Sequence, residues 1–285
     1  MTASTTRHEA RDGASRADLP ARRTVLVTGA SAGIGAAFAR VFAANEFDLV
    51  LTARRRDRLE ALAEALREAH GAAVRVLPAD LADPDAPRLL HDDLTGAGIV
   101  VDALVNNAGY GMSGTFLKSP WPEHQKFLQV MLLSVVELTR LFMPGMVERG
   151  YGRILNVSSL AGLLPGTAGH TLYAAVKAFL VKFSQSLAFE GAPHGVHATA
   201  LCPGFTYSEF HDVNGTRALV SRLPRWMWLD ADTVARDGYE AVMNGRVVAI
   251  TGRINRLLYA ASRHAPEVLL LRAMKRQAKR YRITE

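Results

Sequence analysis

The chain's 285 residues suit one large α/β domain, able to bury roughly 75% of the surface its unfolded chain exposes. Its single cysteine, Cys202, excludes an internal disulfide framework. The net charge is +7, but nine Lys or Arg and two Glu fall between residues 253 and 285, so the basic character belongs to one end and the remainder is near neutral. No uninterrupted apolar run approaches the roughly 18 residues a membrane-spanning helix needs. Cys202 sits in the apolar run VHATALC, which reads as a buried, inert thiol in a reducing, cytoplasmic setting.

In chain order, residues 1–22 are rich in Ala, Arg, Asp, Ser and Thr, lack an apolar period, and are expected to be a disordered lead-in. Arg22-Arg23 has the form of an export signal, but TVLVTGAS follows directly without a cleavage pattern, so a strand is the better reading. Strands are expected at Thr24–Thr28, Asp48–Thr52, Ala73–Leu77, Ala103–Asn106, Arg153–Val157, Val196–Leu201 and Arg246–Ile250. Most are continuous apolar runs, the pattern of strands covered on both faces. Helical segments lie between them, among them Gly35–Asn45, Arg56–His70, Glu123–Glu148 and Ala174–Glu190. The alternation implies right-handed βαβ units. It predicts a single Rossmann-like, doubly wound domain over residues 23–252, with about seven parallel strands. A basic helical extension follows at 253–285.

In such a sheet, ligands bind beyond the C-terminal ends of the strands. Gly29, Arg54, Asp80, Asn106, Ser159 and Pro203-Gly204 each fall there. The first strand runs into Thr28-Gly29-Ala30-Ser31-Ala32-Gly33-Ile34-Gly35 and then a helix. Such glycines allow a tight turn and let a pyrophosphate approach the backbone at the helix N-terminus. After the second strand the residues are Thr52-Ala53-Arg54-Arg55-Arg56, with no acid before Asp57. Guanidinium groups suit a 2′-phosphate that a carboxylate would repel, so the expected cofactor is NADP(H). At least one of these arginines is expected to be only the solvated start of a helix. Tyr173-Ala-Ala-Val-Lys177 puts a phenol and an ammonium on one helical face. A neighbouring cation lowers a phenol's pKa toward the range useful for proton transfer.

Taken together and in order, TGASAGIG, Asp80-Leu81, Asn106-Asn107-Ala108-Gly109, Ser158-Ser159, YAAVK and Pro203-Gly204 resemble the short-chain dehydrogenase/reductase family from about Thr24 to Gly252. The resemblance implies that Tyr173 exchanges a proton with the substrate oxygen. Lys177 would lower the tyrosine's pKa and hold the nicotinamide ribose. Ser159 would hold the substrate oxygen; it is chosen over Ser158 because x-x-Gly follows it, as Leu160-Ala161-Gly162. Its separation from Tyr173 is one residue longer than is usual in the family, which predicts a small loop insertion. Cofactor contacts are implied for Gly29, Ser31, Gly33, Ile34, Gly35, Arg54, Arg55, Asp80, Leu81, Asn106, Ala108, Gly109, Tyr173, Lys177, Pro203, Gly204, Thr206 and Ser208. Asp80 and Leu81 would border the adenine, Asn106 would lie along the cofactor, and Thr206 and Ser208 would approach the carboxamide.

One expected residue is missing. The family usually carries an asparagine in the helix after NNAG, where it supports a proton relay from the lysine; here Met131 takes that position. A thioether cannot act as an amide does. Two readings therefore stand: an active carbonyl reductase, and a dinucleotide-binding sensor or scaffold that has lost turnover. Residues 208–230 are expected to form a substrate lid rich in apolar side chains. With His170, Phe205, Leu223, Trp226 and Trp228 lining the pocket, an apolar ketone, aldehyde or β-keto acyl chain is the expected substrate. At least one tryptophan is expected to pack the lid onto the body instead. No metal-ligand spacing occurs among the histidines, and no nucleic-acid-binding motif accompanies the basic tail. The resemblance implies a homodimer or homotetramer through helices Glu123–Glu148 and Ala174–Glu190. The tail reads first as a solvated helix face ending the domain; the alternative, with Val268–Leu271 beside Arg272, Lys275 and Arg276, is a peripheral membrane contact.

Overall fold

The computed structural model describes residues 22–112, 114–169, 171–207, 209 and 224–280. In chain order these form β1 (Thr24–Thr28), α1 (Gly33–Ala44), β2 (Asp48–Thr52), α2 (Arg56–His70), β3 (Val74–Val76), α3 (Ala86–Gly96), β4 (Ala103–Asn106), α4 (Trp121–Leu128), α5 (Ser134–Glu148) and β5 (Gly152–Val157). The chain continues through α6 (Thr171–Gly191), β6 (Val196–Cys202), β7 (Thr206–Tyr207), β8 (Leu229–Asp230), α7 (Ala231–Met243), β9 (Val248–Ile250), α8 (Arg253–His264) and α9 (Glu267–Arg280).

Seven strands form one sheet in the order β3-β2-β1-β4-β5-β6-β9, and every neighbouring pair is parallel. The reversal of strand order between β1 and β4 opens a crevice at their C-terminal ends. Both faces are covered, which is why the strand cores read as unbroken apolar runs. On one face Phe38 and Phe42 of α1, Leu59 of α2 and Val234 of α7 pack against Val25, Leu49 and Leu201. On the other, Leu94 of α3, Leu138 and Met146 of α5 and Leu180 of α6 pack against Leu26, Leu104 and Ile154. Helix α2 shows the local logic. Leu59, Ala63 and Leu66 recur on its buried face, and Gly71 ends it with φ +58, a left-handed conformation that costs glycine little.

The domain expected over residues 23–252 has this architecture, with three local differences. Strands β3 and β9 are shorter than the expected spans Ala73–Leu77 and Arg246–Ile250. The tail is two helices, broken at Ala265-Pro266, where proline removes a helical donor. Between α4 and α5, Gln129–Leu133 forms a π-helical turn, so the expected single helix carries a local irregularity of the kind often found at functional sites. By length and composition Trp121–Glu148 could span a membrane (mean hydropathy 1.6 over an 18-residue window). Yet Phe127, Met131, Leu138, Phe142 and Met146 are buried within the domain, and that burial accounts for its apolar character.

Candidate active site

The glycine turn follows from steric necessity. Gly29 has φ +68, and a Cβ there would lie 2.8 Å from the Ala108 Cα; one on Gly35 would lie 2.2 Å from the Gly29 carbonyl oxygen. Only hydrogen fits at either place. Thr28 Oγ1 accepts from the Asn107 and Ala108 amides at 2.9 and 3.0 Å. Asn107 Nδ2 donates to the Thr28 and Gly29 carbonyls at 2.9 and 3.3 Å. The turn is thus tied to the end of β4 by Asn107. Asn106, expected along the cofactor, turns into the core instead. Its Nδ2 donates to Asn156 Oδ1 at 2.9 Å and Thr139 Oγ1 at 3.3 Å. The one-residue difference between the two asparagines is the alternation of side chains as β4 ends.

Ser31 lies within this turn, and its Oγ accepts from Arg55 Nε and Nη2 at 3.3 and 3.1 Å. Arg55 precedes α2, and both it and Arg58 pair with Glu209. Arg54 is exposed, and it acts on the same phenol, Tyr110, as Asp80 does. Burial and Glu123 hold that phenol above its usual range, and Arg54 opposes them. Asp80 Oδ1 accepts from the Ala82 amide at 3.1 Å, while Leu81 is buried. Among the described residues, Arg56 pairs with Glu60 of its own helix, the solvated role expected of one arginine.

Ser159 follows β5 and Tyr173 lies in the first turn of α6; the two side chains are hydrogen-bonded. Ser159 Oγ also caps the short turn Leu160–Gly162, accepting from the Ala161 amide at 3.2 Å. Ser158 does different work: it is buried and donates to the Lys177 carbonyl at 2.7 Å. A Cβ on Gly162 would lie 2.5 Å from the Lys177 carbonyl carbon, so the glycine lets the turn lie directly on α6.

Lys177 Nζ donates to the Val157 carbonyl at 2.7 Å and lies 5.6 Å from the Tyr173 ring centroid. Burial brings the ammonium down to about 8, with Cys202 opposing the shift. Burial raises the Tyr173 phenol, and the Ser159 hydrogen bond pulls it back. The expected lowering by Lys177 does not govern Tyr173 in this conformation. The ammonium bonds to a main-chain carbonyl and stands over the ring. Cys202 is buried, and loss of solvation pushes its thiol up to about 12, as suits an inert sulfur.

A small hollow of about 20 Å³ adjoins Tyr173 and is lined by Met112, Phe116, Ser119, His124, Thr171 and Leu172 among others. The lining comes from the segment after β4 and the start of α6. Phe205, Trp226 and Trp228 are not among the described residues that line this hollow. Trp228 is buried, stacks on Tyr207 at 4.7 Å and meets Phe205 at 5.6 Å. These contacts hold Trp228 against the β7–β8 ribbon, where its indole is largely withdrawn from solvent. Trp226 is exposed. Thr206 is buried, and its hydroxyl donates to the Gly204 carbonyl at 3.2 Å. Leu160 N donates to the Pro203 carbonyl at 2.9 Å, joining the proline loop to the serine turn. His170, Ser208 and Leu223 lie outside the described residues, as does most of the expected lid. Met131 is buried in the π-helical turn. Its sulfur accepts from the Tyr110 amide at 3.4 Å and stands 2.6 Å from where a Cβ on Gly109 would be.

The model of the short-chain dehydrogenase family matches residues 23–217. The chain belongs to the short-chain dehydrogenase family. A ketoacyl reductase of Nostoc sp. is 36% identical over 183 residues, which span 64% of this chain but only 63% of that relative. A rat very-long-chain 3-oxoacyl-CoA reductase is 32% identical, with 82% of this chain and 74% of the relative covered. Among solved structures, a short-chain dehydrogenase from Sphingobium yanoikuyae in complex with NADPH is 34% identical. It superposes with a TM-score of 0.74 over 80% of this chain and 87% of that one.

Proposed function

We propose that the chain is an NADP(H)-dependent oxidoreductase that reduces an apolar carbonyl to the alcohol, with Tyr173 as proton donor. The carbonyl is that of a ketone, an aldehyde or a β-keto acyl group. The observation that carries the reading is the meeting of Ser159, Tyr173 and Lys177 at one strand end, beside a hollow whose mixed lining includes Met112, Phe116 and Leu172. The ketoacyl and 3-oxoacyl-CoA reductases among its relatives, and the NADPH complex among its structural neighbours, point the same way.

The cofactor fits the residues present. The space over Gly29 and Gly35 admits no side chain, and helix α1 starts there with no acid in its first turn, as an anion at its N-terminus requires. Ser31, Arg54 and Arg55 would hold the 2′-phosphate, and Lys177 the nicotinamide ribose. When bound, NADPH supplies a hydride to the carbonyl carbon. Ser159 Oγ holds the carbonyl oxygen while Tyr173 transfers its phenolic proton to it. The Lys177 ammonium steadies the phenolate that remains. Met131 offers no amide to a proton relay, so Tyr173 regains its proton by a route that does not use the side chain at this position. A sensor that only bound the dinucleotide would not need the Ser159–Tyr173 bond.

The test is loss of NADPH absorbance with a panel of apolar ketones and β-keto thioesters, in wild type and Tyr173→Phe. Turnover that depends on Tyr173 is expected. Tight NADPH binding without turnover across the panel would instead establish the sensor.

The exposed Leu133, Phe179 and Phe189 on α5's approach and on α6 support a homo-oligomer through these helices. For α8 and α9 we propose an anionic lipid surface, met by a cytoplasmic chain at the membrane periphery. Ile254, Leu257 and Leu258 share one face of α8 and are exposed, while the helix buries Asn255. Arg253 borders that stripe, and Arg256 and Arg263 lie on the opposite side of the helix; a helix with one apolar and one cationic face suits a charged interface rather than a protein core.

A further inference from the structure

Arg55 shares its donors between two acceptors. Nε and Nη2 reach Ser31 Oγ on the glycine turn, and Nη1 reaches a carboxylate oxygen of Glu209 at 2.9 Å. Arg58, nearly one turn further along α2, bonds to the other oxygen of Glu209. Glu209 arrives from far away in sequence, two residues beyond β7, and has no part in the sheet. Its carboxyl is held below the usual carboxylate range by Arg58 first and Arg55 next, so it is charged throughout the neutral range. The three side chains are each 40 to 46% exposed, which leaves the cluster open to a ligand. Two guanidinium groups and one carboxylate retain one net positive charge beside Ser31.

This is the place where the end of β2 meets the glycine turn, and so where a 2′-phosphate would be read. We propose that Glu209 is an internal anion occupying donors of Arg55 and Arg58 that a 2′-phosphate would otherwise use. NADP(H) then binds in competition with Glu209. The carboxylate keeps the two arginines gathered beside Ser31 and limits the affinity gained from the 2′-phosphate. A cofactor lacking that phosphate has no group to exchange for the carboxylate. Glu209 therefore sets the margin by which NADP(H) is preferred over NAD(H). The inference rests on the NADP(H) reading above.

Calorimetric titration with 2′,5′-ADP and with 5′-AMP, on the full chain and on Glu209→Gln, tests it without turnover. Glutamine keeps the shape and drops the charge. The variant is expected to bind 2′,5′-ADP about twofold to fivefold more tightly, the range an exposed ion pair can supply, with 5′-AMP unchanged. An unchanged 2′,5′-ADP affinity, or an equal shift for both ligands, would show an ordinary surface ion pair and overturn the proposal. Weaker 2′,5′-ADP binding would overturn it too, because Glu209 would then be positioning the arginines without competing. A wild type that binds both ligands equally well would overturn the NADP(H) reading itself, a result distinct from the others.

Discussion

Lys177 carries two duties that conflict in the free chain. Its ammonium must be near Tyr173, yet burial there brings it down to about 8 from an ordinary value of 10.5. The native state therefore binds fewer protons than the unfolded state between those values, and stability rises with pH through that window. Relative to Lys177→Met, wild type is expected to gain up to about 3 kcal/mol between pH 8 and 10.5 and nothing below pH 7. Urea unfolding at pH 7 and at pH 10 measures this; a constant difference between the two proteins would contradict it. For Tyr173→Phe, turnover should fall at least about 100-fold, the usual share of a positioned proton donor. NADPH binding, followed by its fluorescence, should stay within about twofold, since the phenol is not a main anchor of the dinucleotide. Tyr173, Lys177 and Ser159 were legible because their chemistry is in their types and spacing. Asn107 and Glu209 were not. An asparagine's partners depend on which way a strand end turns it, and the Arg55–Glu209 pair joins residues 154 positions apart.

At the level of elements, the site depends on how closely β5, its serine turn and α6 approach one another. Gly162 has no room for a Cβ against the Lys177 backbone. Gly162→Ala must therefore push α6 away from the turn, at a cost of about 1–3 kcal/mol. It should lower kcat more than it raises KM, because Tyr173 and Lys177 move relative to Ser159. Thermal unfolding with steady-state kinetics distinguishes this from simple instability, which would reduce active enzyme without altering its pH profile. The π-helical turn before α5 makes a second prediction. Met131→Asn replaces a buried thioether with an amide and should destabilise the chain by about 1–3 kcal/mol. The same change should raise kcat relative to Met131→Leu, if returning a proton to Lys177 limits turnover. Equal kcat in the two variants would place the limit elsewhere. The sequence marked a break from the family at Met131, but the helical irregularity around it has no signature in residue type, since Gln129–Leu133 reads as ordinary helix.

For the whole molecule, α8 is anchored to the body through a polar contact. Asn255 is buried and its Nδ2 donates to the Thr251 carbonyl at 2.8 Å; a Cβ on Gly204 would lie 2.5 Å from that nitrogen. The apolar stripe of α8 is left outward. Full chain is expected to co-sediment with vesicles of mixed neutral and anionic lipid, and a chain ending at residue 252 is not. Binding should weaken as salt rises, since exposed charges are screened. Retention after truncation would place the lipid contact outside α8 and α9, and a change only in oligomeric mass by light scattering would assign the stripe to a second copy of the chain.

From the sequence alone came the parallel doubly wound sheet, the glycine turn and the Ser159–Tyr173–Lys177 set. These depend on apolar runs, residue types and short spacings, and short-range patterning carries that information through the covalent chain. Tertiary structure decided which asparagine ties the glycine turn, that Trp228 packs the β7–β8 ribbon, and that the hollow beside Tyr173 is walled by residues 112–124. It also decided that Arg55 faces both Ser31 and Glu209. Those outcomes turn on distances between segments far apart in sequence, and only the packed chain sets such distances.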